Sequence, residues 1–288
     1  MNENKLIVKP FVKWAGGKFR LADKFMPLLP SSFNPEKNTY IEPMVGSGGF
    51  FFKYAPKYSY LSDINQNLIT TYNIIKNDVN TLILSLKEHQ ELHDKEYFYD
   101  QRKKFNDLVI KGGSNVEIAS LFIYLNRTCF NGLYRENSKG EFNVPIGSYK
   151  NPTICNEVNL VAVSNTLQSV EINCHGFEES LKTIKENDFV YIDPPYLPID
   201  ATSFTKYSKS DFGKKHHEDL SFFCDSVNDL GAYFMLSNAD TKLTKDIYMK
   251  KGRYSTEFLV GRTIASNANN RVNAKEVIIT NYNPSNVI

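Results

Sequence analysis

The chain has little cysteine, one tryptophan and almost no net charge, and each shortage narrows what it can be. Its 288 residues hold four scattered cysteines, Cys129, Cys155, Cys174 and Cys224, with no CxxC pair. That excludes a disulfide-framework mini-protein and a Cys/His zinc finger. It predicts reduced, mostly buried thiols in a cytoplasmic protein, and no bound metal. No apolar run approaches the roughly 18 residues of a membrane helix. The polar N-terminal stretch with Pro10 does not read as a signal peptide. A net charge of +2 excludes a polybasic chain, so any nucleic-acid surface must be local. Repeats and low-complexity tracts are absent as well. With 41% hydrophobic and 23% charged residues, the composition is that of a globular protein.

What is present begins with "DFVYIDPPYLP", residues 188 to 198. Phe189-Val190-Tyr191-Ile192 reads as a short buried strand of an α/β sheet. Asp193 then sits at its carboxyl end, where open α/β sheets hold ligands. Pro194 and Pro195 cannot extend the ladder and fix φ, so the nearby carbonyls take definite directions. Tyr196 adds a π face. A rigid group of acceptors beside a stacking surface suits a flat, amine-bearing ligand such as a nucleobase. The competing reading is a strand that ends in an Asp-Pro turn, and spacing alone leaves both open.

Along the chain, 18–30 reads as a short amphipathic helix and Thr39 to Glu42 as a strand entering the Gly-rich loop "PMVGSGGFFF". Tyr58 to Ser62 is a second strand ending at Asp63. Residues 64 to about 125 read mainly as helix, broken at Gly112-Gly113. The Asn- and Gly-rich stretch 126–152 fits a hairpin turning at Ser138-Lys139-Gly140. Then α/β alternation returns, with strands at "SVEINCHGF", 188–193, "GAYFMLSN" and "KEVIITNY" and helices at 181–187 and 216–230.

The loop "VGSGGF" after a strand resembles a phosphate cradle, but two tests fail. The dinucleotide fingerprint wants glycines at 46, 48 and 51, and Phe51 stands at the third. A P-loop in "WAGGKFRL" wants Ser or Thr after Gly17-Lys18, and Phe19 stands there. A looser glycine turn still lets backbone approach a ligand closely. Asp63, at the end of the next strand, can accept bonds from ribose hydroxyls. A ligand with ribose and adenine but no phosphate fits, and S-adenosyl-L-methionine leads. The alternative is a tight turn, with Asp63 capping a helix that starts near Ile64.

Six stretches then occur in order: "PFVKWAGGK", "IEPMVGSGGFFF", "LSDIN", "NRTCFNGLYRENSKGEFNVPIGSYKNP", "DFVYIDPPY" and "MLSN". Together, over nearly the whole chain, they resemble the adenine-N6 DNA methyltransferases of the Dam/DpnII type (D12 class, alpha motif order). The resemblance implies an α/β fold, with a Rossmann-like S-adenosylmethionine-dependent methyltransferase sheet. A helical plus β-hairpin target-recognition domain is inserted at 65–164, so the catalytic domain is 1–64 and 165–288. It implies that Asp193, Pro194, Pro195 and Tyr196 are catalytic, methylating N6 of an adenine flipped from duplex DNA, within GATC. The Asp of the DPPY tetrapeptide favours adenine over cytosine N4. By the same resemblance the cofactor S-adenosyl-L-methionine, which leaves as S-adenosyl-L-homocysteine, meets Trp14, Ala15, Gly16, Lys18, Pro43, Gly46, Ser47, Gly48, Asp63, Ile64, Phe177 and Asp193.

On the DNA side, Phe130 is the implied intercalator and Asn131 addresses the orphaned thymine. Arginine is suited to bidentate contact with guanine O6 and N7, and by the resemblance Arg135 reads the third base pair of GATC, with Leu133 and Pro145 beside it. Lys13 contacts the first guanine, and Arg127, Asn137, Lys150, Arg262 and Arg271 are further DNA contacts. Between 126 and 152 four basic residues face two acidic ones, a local +2. The segments 200–215 and 261–273 read as loops, the first closing over the flipped base and the second offering its arginines to phosphates. Two departures stand out. Phe130 replaces a frequent Tyr, and His175-Gly176-Phe177 lacks the acid that relatives carry beside the cofactor adenine. Implied partners are double-stranded DNA and no membrane, in a prokaryotic or phage-encoded cytoplasmic enzyme. A cognate restriction endonuclease would act on the same site without direct binding. A different target site, or a DNA-binding descendant without catalysis, remain the alternatives.

Overall fold

In the computed structural model, which describes residues 7–196, 212–260 and 274–284, seven runs of chain pair into one sheet. They are β1 (Tyr40–Glu42), β2 (Ser59–Asp63), β3 (Val170–Cys174), β4 (Phe189–Ile192), β5 (Tyr233–Ala239), β6 (Tyr254–Val260) and β7 (Ala274–Thr280). Their order in space is β3-β2-β1-β4-β5-β7-β6. β4 runs parallel to β1 and β5, while β7 is antiparallel to β5 and β6. This is the expected Rossmann-like methyltransferase sheet. The apolar run of β4 is buried throughout because it is flanked on both sides, as an interior parallel strand requires. The chain leaves β1 and β4, adjacent strands at the reversal of strand order, at their carboxyl ends, where such sheets bind ligands.

The helices are α1 (Ala22–Phe25), α2 (Gly49–Tyr54), α3 (Gln66–Asn77), α4 (Val79–Glu91), α5 (Lys95–Lys111), α6 (Asn115–Thr128), α7 (Glu157–Leu167), α8 (Lys214–Asp229) and α9 (Lys242–Tyr248). The chain divides into two compact units. Unit one draws on Met1–Lys24, Val45–Lys57 and Leu61–His175; unit two draws on Phe25–Met44, Tyr58–Tyr60 and Gly176–Ile288. In unit one α6 is buried from Ile118 to Asn126, so it is apolar nearly all round and serves as the centre of the bundle. In unit two, α8 lays Leu220, Phe223, Cys224 and Val227 on β4 and β5 residues such as Val190 and Leu236.

Several expectations need correction. The helix over 18–30 is short: α1 covers four residues before a 3-10 turn at Met26–Leu28. The helix over 181–187 is replaced by a 3-10 segment at Phe177–Lys182. The cause is Asp188, whose carboxylate accepts from Lys185 N at 2.8 Å and Thr39 N at 2.7 Å and pulls 185–188 into a turn. The hairpin in 126–152 turns where predicted, with Gly140 N donating to Asn137 O, but its arms meet only at single bridges. α7, α9 and β6 went unrecognised in the sequence. The four thiols are unpaired, yet only Cys129 and Cys224 are buried and Cys174 is exposed. Among the described residues no helix is long and apolar enough to cross a membrane.

Candidate active site

In unit one the glycine loop is built around Asp63. Its carboxylate accepts from Gly46 N and from Asn65 N, both at 2.9 Å. Burial pushes the Asp63 carboxyl up, opposed by the backbone N–H groups of Asn65, Gly46 and Ile64. The capping role falls instead to Asn65, whose side chain accepts from Leu68 N at 3.0 Å to start α3. The Gly46 carbonyl accepts from the buried Tyr72 hydroxyl at 3.1 Å. Gly46 has φ +48, and a Cβ there would lie 2.8 Å from Trp14 Nε1. Gly48 has φ +67, and its Cβ would lie 2.7 Å from Tyr72 Oη. Only glycine permits both approaches. Beside this loop Ile64 is 80% exposed, a flat apolar face at the end of β2. Lys18 is buried and donates to Gly16 O at 2.6 Å, folding "WAGGK" back on itself.

Also in unit one, Asn126 joins the N-terminal segment to the hairpin. It bonds Lys13 N and Lys13 O at 2.7 and 2.8 Å and donates to Gly132 O at 3.0 Å. Phe130, Asn131 and Gly132 form a tight 3-10 turn in which Asn131 takes φ +54. A left-handed non-glycine residue is strained, and here it leaves Phe130 50% exposed. Lys13 Nζ lies 3.9 Å from the centre of the Tyr149 ring. Tyr134 stacks on Trp14 with centroids 5.9 Å apart, and its hydroxyl donates to Glu136 at 2.6 Å and accepts from Asn67 at 3.2 Å.

In unit two Asp193 follows β4. Its Oδ1 accepts from Ser237 Oγ, on β5, at 2.7 Å. Tyr196 Oη donates to Glu276 on β7 at 3.2 Å. Burial, then the charges of Asp193 and Glu276, raise the Tyr196 phenol far above its usual range, so it remains a donor. Pro194 is buried and Pro195 exposed. His217 on α8 is fully buried, its Nδ1 2.7 Å from Tyr248 Oη. Burial pushes this imidazole down to about 4, opposed by the Pro195 carbonyl.

Residues 14–261 match the model of the D12 class of N6 adenine-specific DNA methyltransferases. The chain belongs to this family. It is 36% identical to a type II methyltransferase of Lactococcus lactis subsp. cremoris, over 98% of each chain. It is 42% identical to a type II methyltransferase of Methanocaldococcus jannaschii, over 81% of this chain and 84% of that one. It is 36% identical to a DNA adenine methylase of Haemophilus influenzae, over 95% and 94%. D12 enzymes take their methyl group from S-adenosyl-L-methionine. The loop fits such a cofactor: Asp63 offers acceptors at the end of β2, and Ile64 offers an exposed apolar face beside it.

The D12 expectations fall into groups. Trp14, Gly46, Ser47, Gly48 and Asp63 lie together in unit one, with Ala15 and Gly16 exposed and Ser47 buried, whereas Pro43, also buried, belongs to unit two. Phe177 is 5% exposed and packs edge-on against Phe223 at 5.4 Å, within the core of unit two. Lys13, Phe130, Asn131, Leu133, Arg135 and Pro145 gather round the hairpin, where Phe130 N donates to Pro145 O and Arg135 Nε to Asn143 Oδ1. Lys150 is exposed. Two members are engaged in building the site. Arg127 Nε and Nη2 hold the Phe11 carbonyl at 3.1 and 2.7 Å, and Asn137 Oδ1 accepts from Lys139 N and Glu141 N to shape the turn. Arg262, Arg271 and most of the 200–215 loop lie outside the described residues. Sequence reasoning passed over Tyr134, Ser237 and Glu276. "MLSN" contains the serine, but nothing in its spacing announces a bond to Asp193.

Proposed function

We propose that this D12 enzyme methylates adenine N6 within GATC after flipping the base out of the duplex. N6 inside a paired stack cannot meet an in-line methyl donor, which is why extrusion is required. The lone pair of the exocyclic nitrogen is delocalised into the ring. The Asp193 carboxylate and the Pro194 carbonyl accept from its two N–H groups, favour a pyramidal nitrogen and free the lone pair. Tyr196 supplies the stacking face. The bound cofactor supplies an electrophilic methyl on a sulfonium. Much of the remaining rate comes from holding the reacting atoms in line. Trp14, Gly46, Asp63 and Ile64 are the cofactor contacts in this reading, and 65–164 is the target-recognition insertion.

The observation that carries the DNA side is Phe130, an aromatic ring half-exposed on a strained turn next to Lys13 and Arg135. An exposed ring there suits the gap left by a flipped base, and Arg135 suits guanine. Relatives named type II methyltransferases favour a restriction–modification setting, with an endonuclease acting on the same site. The test uses purified protein, S-adenosyl-L-methionine and plasmid. Protection from a GATC nuclease blocked by adenine methylation, with cutting by an isoschizomer that needs it, is the expected result. Asp193→Ala abolishes both. Methyl incorporation with GATC still cleavable would refute the assigned site while leaving the chemistry standing.

A further inference from the structure

We infer that Ser237 is a positioning residue for methyl transfer, holding Asp193 from the adjacent strand β5; this rests on the catalytic role given to Asp193 above. The terminal torsion of an aspartate is broad and roughly two-fold, so the backbone after β4 does not by itself set the carboxylate plane. An acceptor that must meet one N–H of a flipped adenine needs that plane fixed to within a few tenths of an ångström. Ser237 Oγ donates to Asp193 Oδ1 at 2.7 Å, the short distance of a hydrogen bond to a charged acceptor. The Ile192 carbonyl at 3.5 Å and the Tyr191 hydroxyl at 3.4 Å are farther, and the Tyr196 phenol is a further hydrogen-bonding neighbour of the serine.

The serine is well placed to act as a fixed point. It is completely buried. β5 is bonded on both sides, to β4 through Leu236↔Ile192 and to β7 through Ser237↔Ile278. Strands held from both sides belong to the least mobile part of a fold. The Tyr191 hydroxyl, also buried, is kept protonated by burial and then by the Asp193 charge, so it can donate to Ser237 Oγ. The serine proton is thereby directed to the carboxylate. A serine at this position is not needed for sheet propensity, since its neighbours in β5 are Phe234, Met235 and Leu236. A small apolar residue would pack there without a polar atom to satisfy.

The test is steady-state and single-turnover methyl transfer to a duplex oligonucleotide containing GATC, with wild type, Ser237→Ala and Ser237→Cys. Alanine nearly keeps the volume, whereas cysteine is larger and offers only a weak donor. The expected result is a kcat lowered roughly tenfold to hundredfold in Ser237→Ala, and lowered in Ser237→Cys too. KM for the oligonucleotide and Kd for S-adenosyl-L-methionine stay within about twofold, since the lost contact acts on the transition state. Tm stays within a few degrees of wild type. A kcat for Ser237→Ala within twofold of wild type overturns the inference. So does a fall in rate matched by weaker cofactor binding and a lowered Tm, which would mark a packing role. If wild type itself transfers no methyl, the failure belongs to the proposed function.

Discussion

Replacing Gly46 by alanine tests whether the glycine loop and Trp14 form one rigid piece. Two costs follow from the structure. Alanine at φ +48 pays roughly 1–2 kcal/mol for the left-handed backbone. The new Cβ would sit 2.8 Å from Trp14 Nε1 and 2.9 Å from Trp14 Cδ1. Trp14 cannot yield freely, because its ring stacks on Tyr134 at 5.9 Å and lies 6.4 Å from Phe122. Overpacking of this kind costs about 1–3 kcal/mol. The sum is about 2–5 kcal/mol, or a Tm lower by about 3–8 °C for a chain of this size. Gly140→Ala is the control: φ is +76, but its Cβ would meet nothing within 4 Å, so only the backbone cost applies. Trp14 is the sole tryptophan, so its emission reports the displacement directly. Gly46→Ala should shift that emission and weaken S-adenosyl-L-methionine binding, while Gly140→Ala does neither. Equal stability losses with an unchanged emission spectrum would refute the reasoning.

Other expectations follow from single residues. His217 and His89 are buried and pushed down to about 4 by that burial, His89 also by Lys104. Their folded pKa lies below the unfolded value near 6.5, so the unfolded chain takes up protons first as pH falls. Their stabilisation is full above about 6.5 and is lost towards 4, by about 2 kcal/mol each at pH 5. Urea unfolding at pH 7 and 5 measures it, and identical midpoints would contradict it. Arg135→Ala should cost about 1–3 kcal/mol of discrimination at one base pair, read as relaxed specificity on oligonucleotides substituted at each position of the site. Phe130→Ala should leave stability within about 0.5 kcal/mol, because the ring is half-exposed, but should abolish the fluorescence rise of a 2-aminopurine placed at the target adenine.

The parts of the fold that the sequence announces are those with one dominant local cause. β4 is legible because four consecutive apolar residues end at a proline pair. The turn of the 126–152 hairpin is legible because Asn137, three residues before Gly140, closes it with its side chain. α7 is not among the elements read from the sequence, although Asn156, whose side chain accepts from Asn159 N, marks its start. β6 is not among the elements read from the sequence: it is a mostly exposed strand that exists through its pairing with β7. The site divides in the same way. Asp193, Tyr196 and the loop glycines stand in contiguous motifs. Ser237 and Glu276 come from strands 44 and 80 residues away in sequence, and only the register of β5 and β7 brings them there.

The pairing of β1 with β4 also sets a timetable for making the molecule. Tyr40 of β1 lies beside Phe189 of β4, 149 residues later. At about 5–20 residues per second, a ribosome needs roughly 7–30 s to deliver that partner. Throughout this interval Tyr40 and Ile41, both buried in the finished protein, lack that partner strand. The early third of the chain is thus obliged to wait with apolar surface uncovered. Its yield in the cell should depend on translation speed and on chaperones more than on the stability of the completed fold.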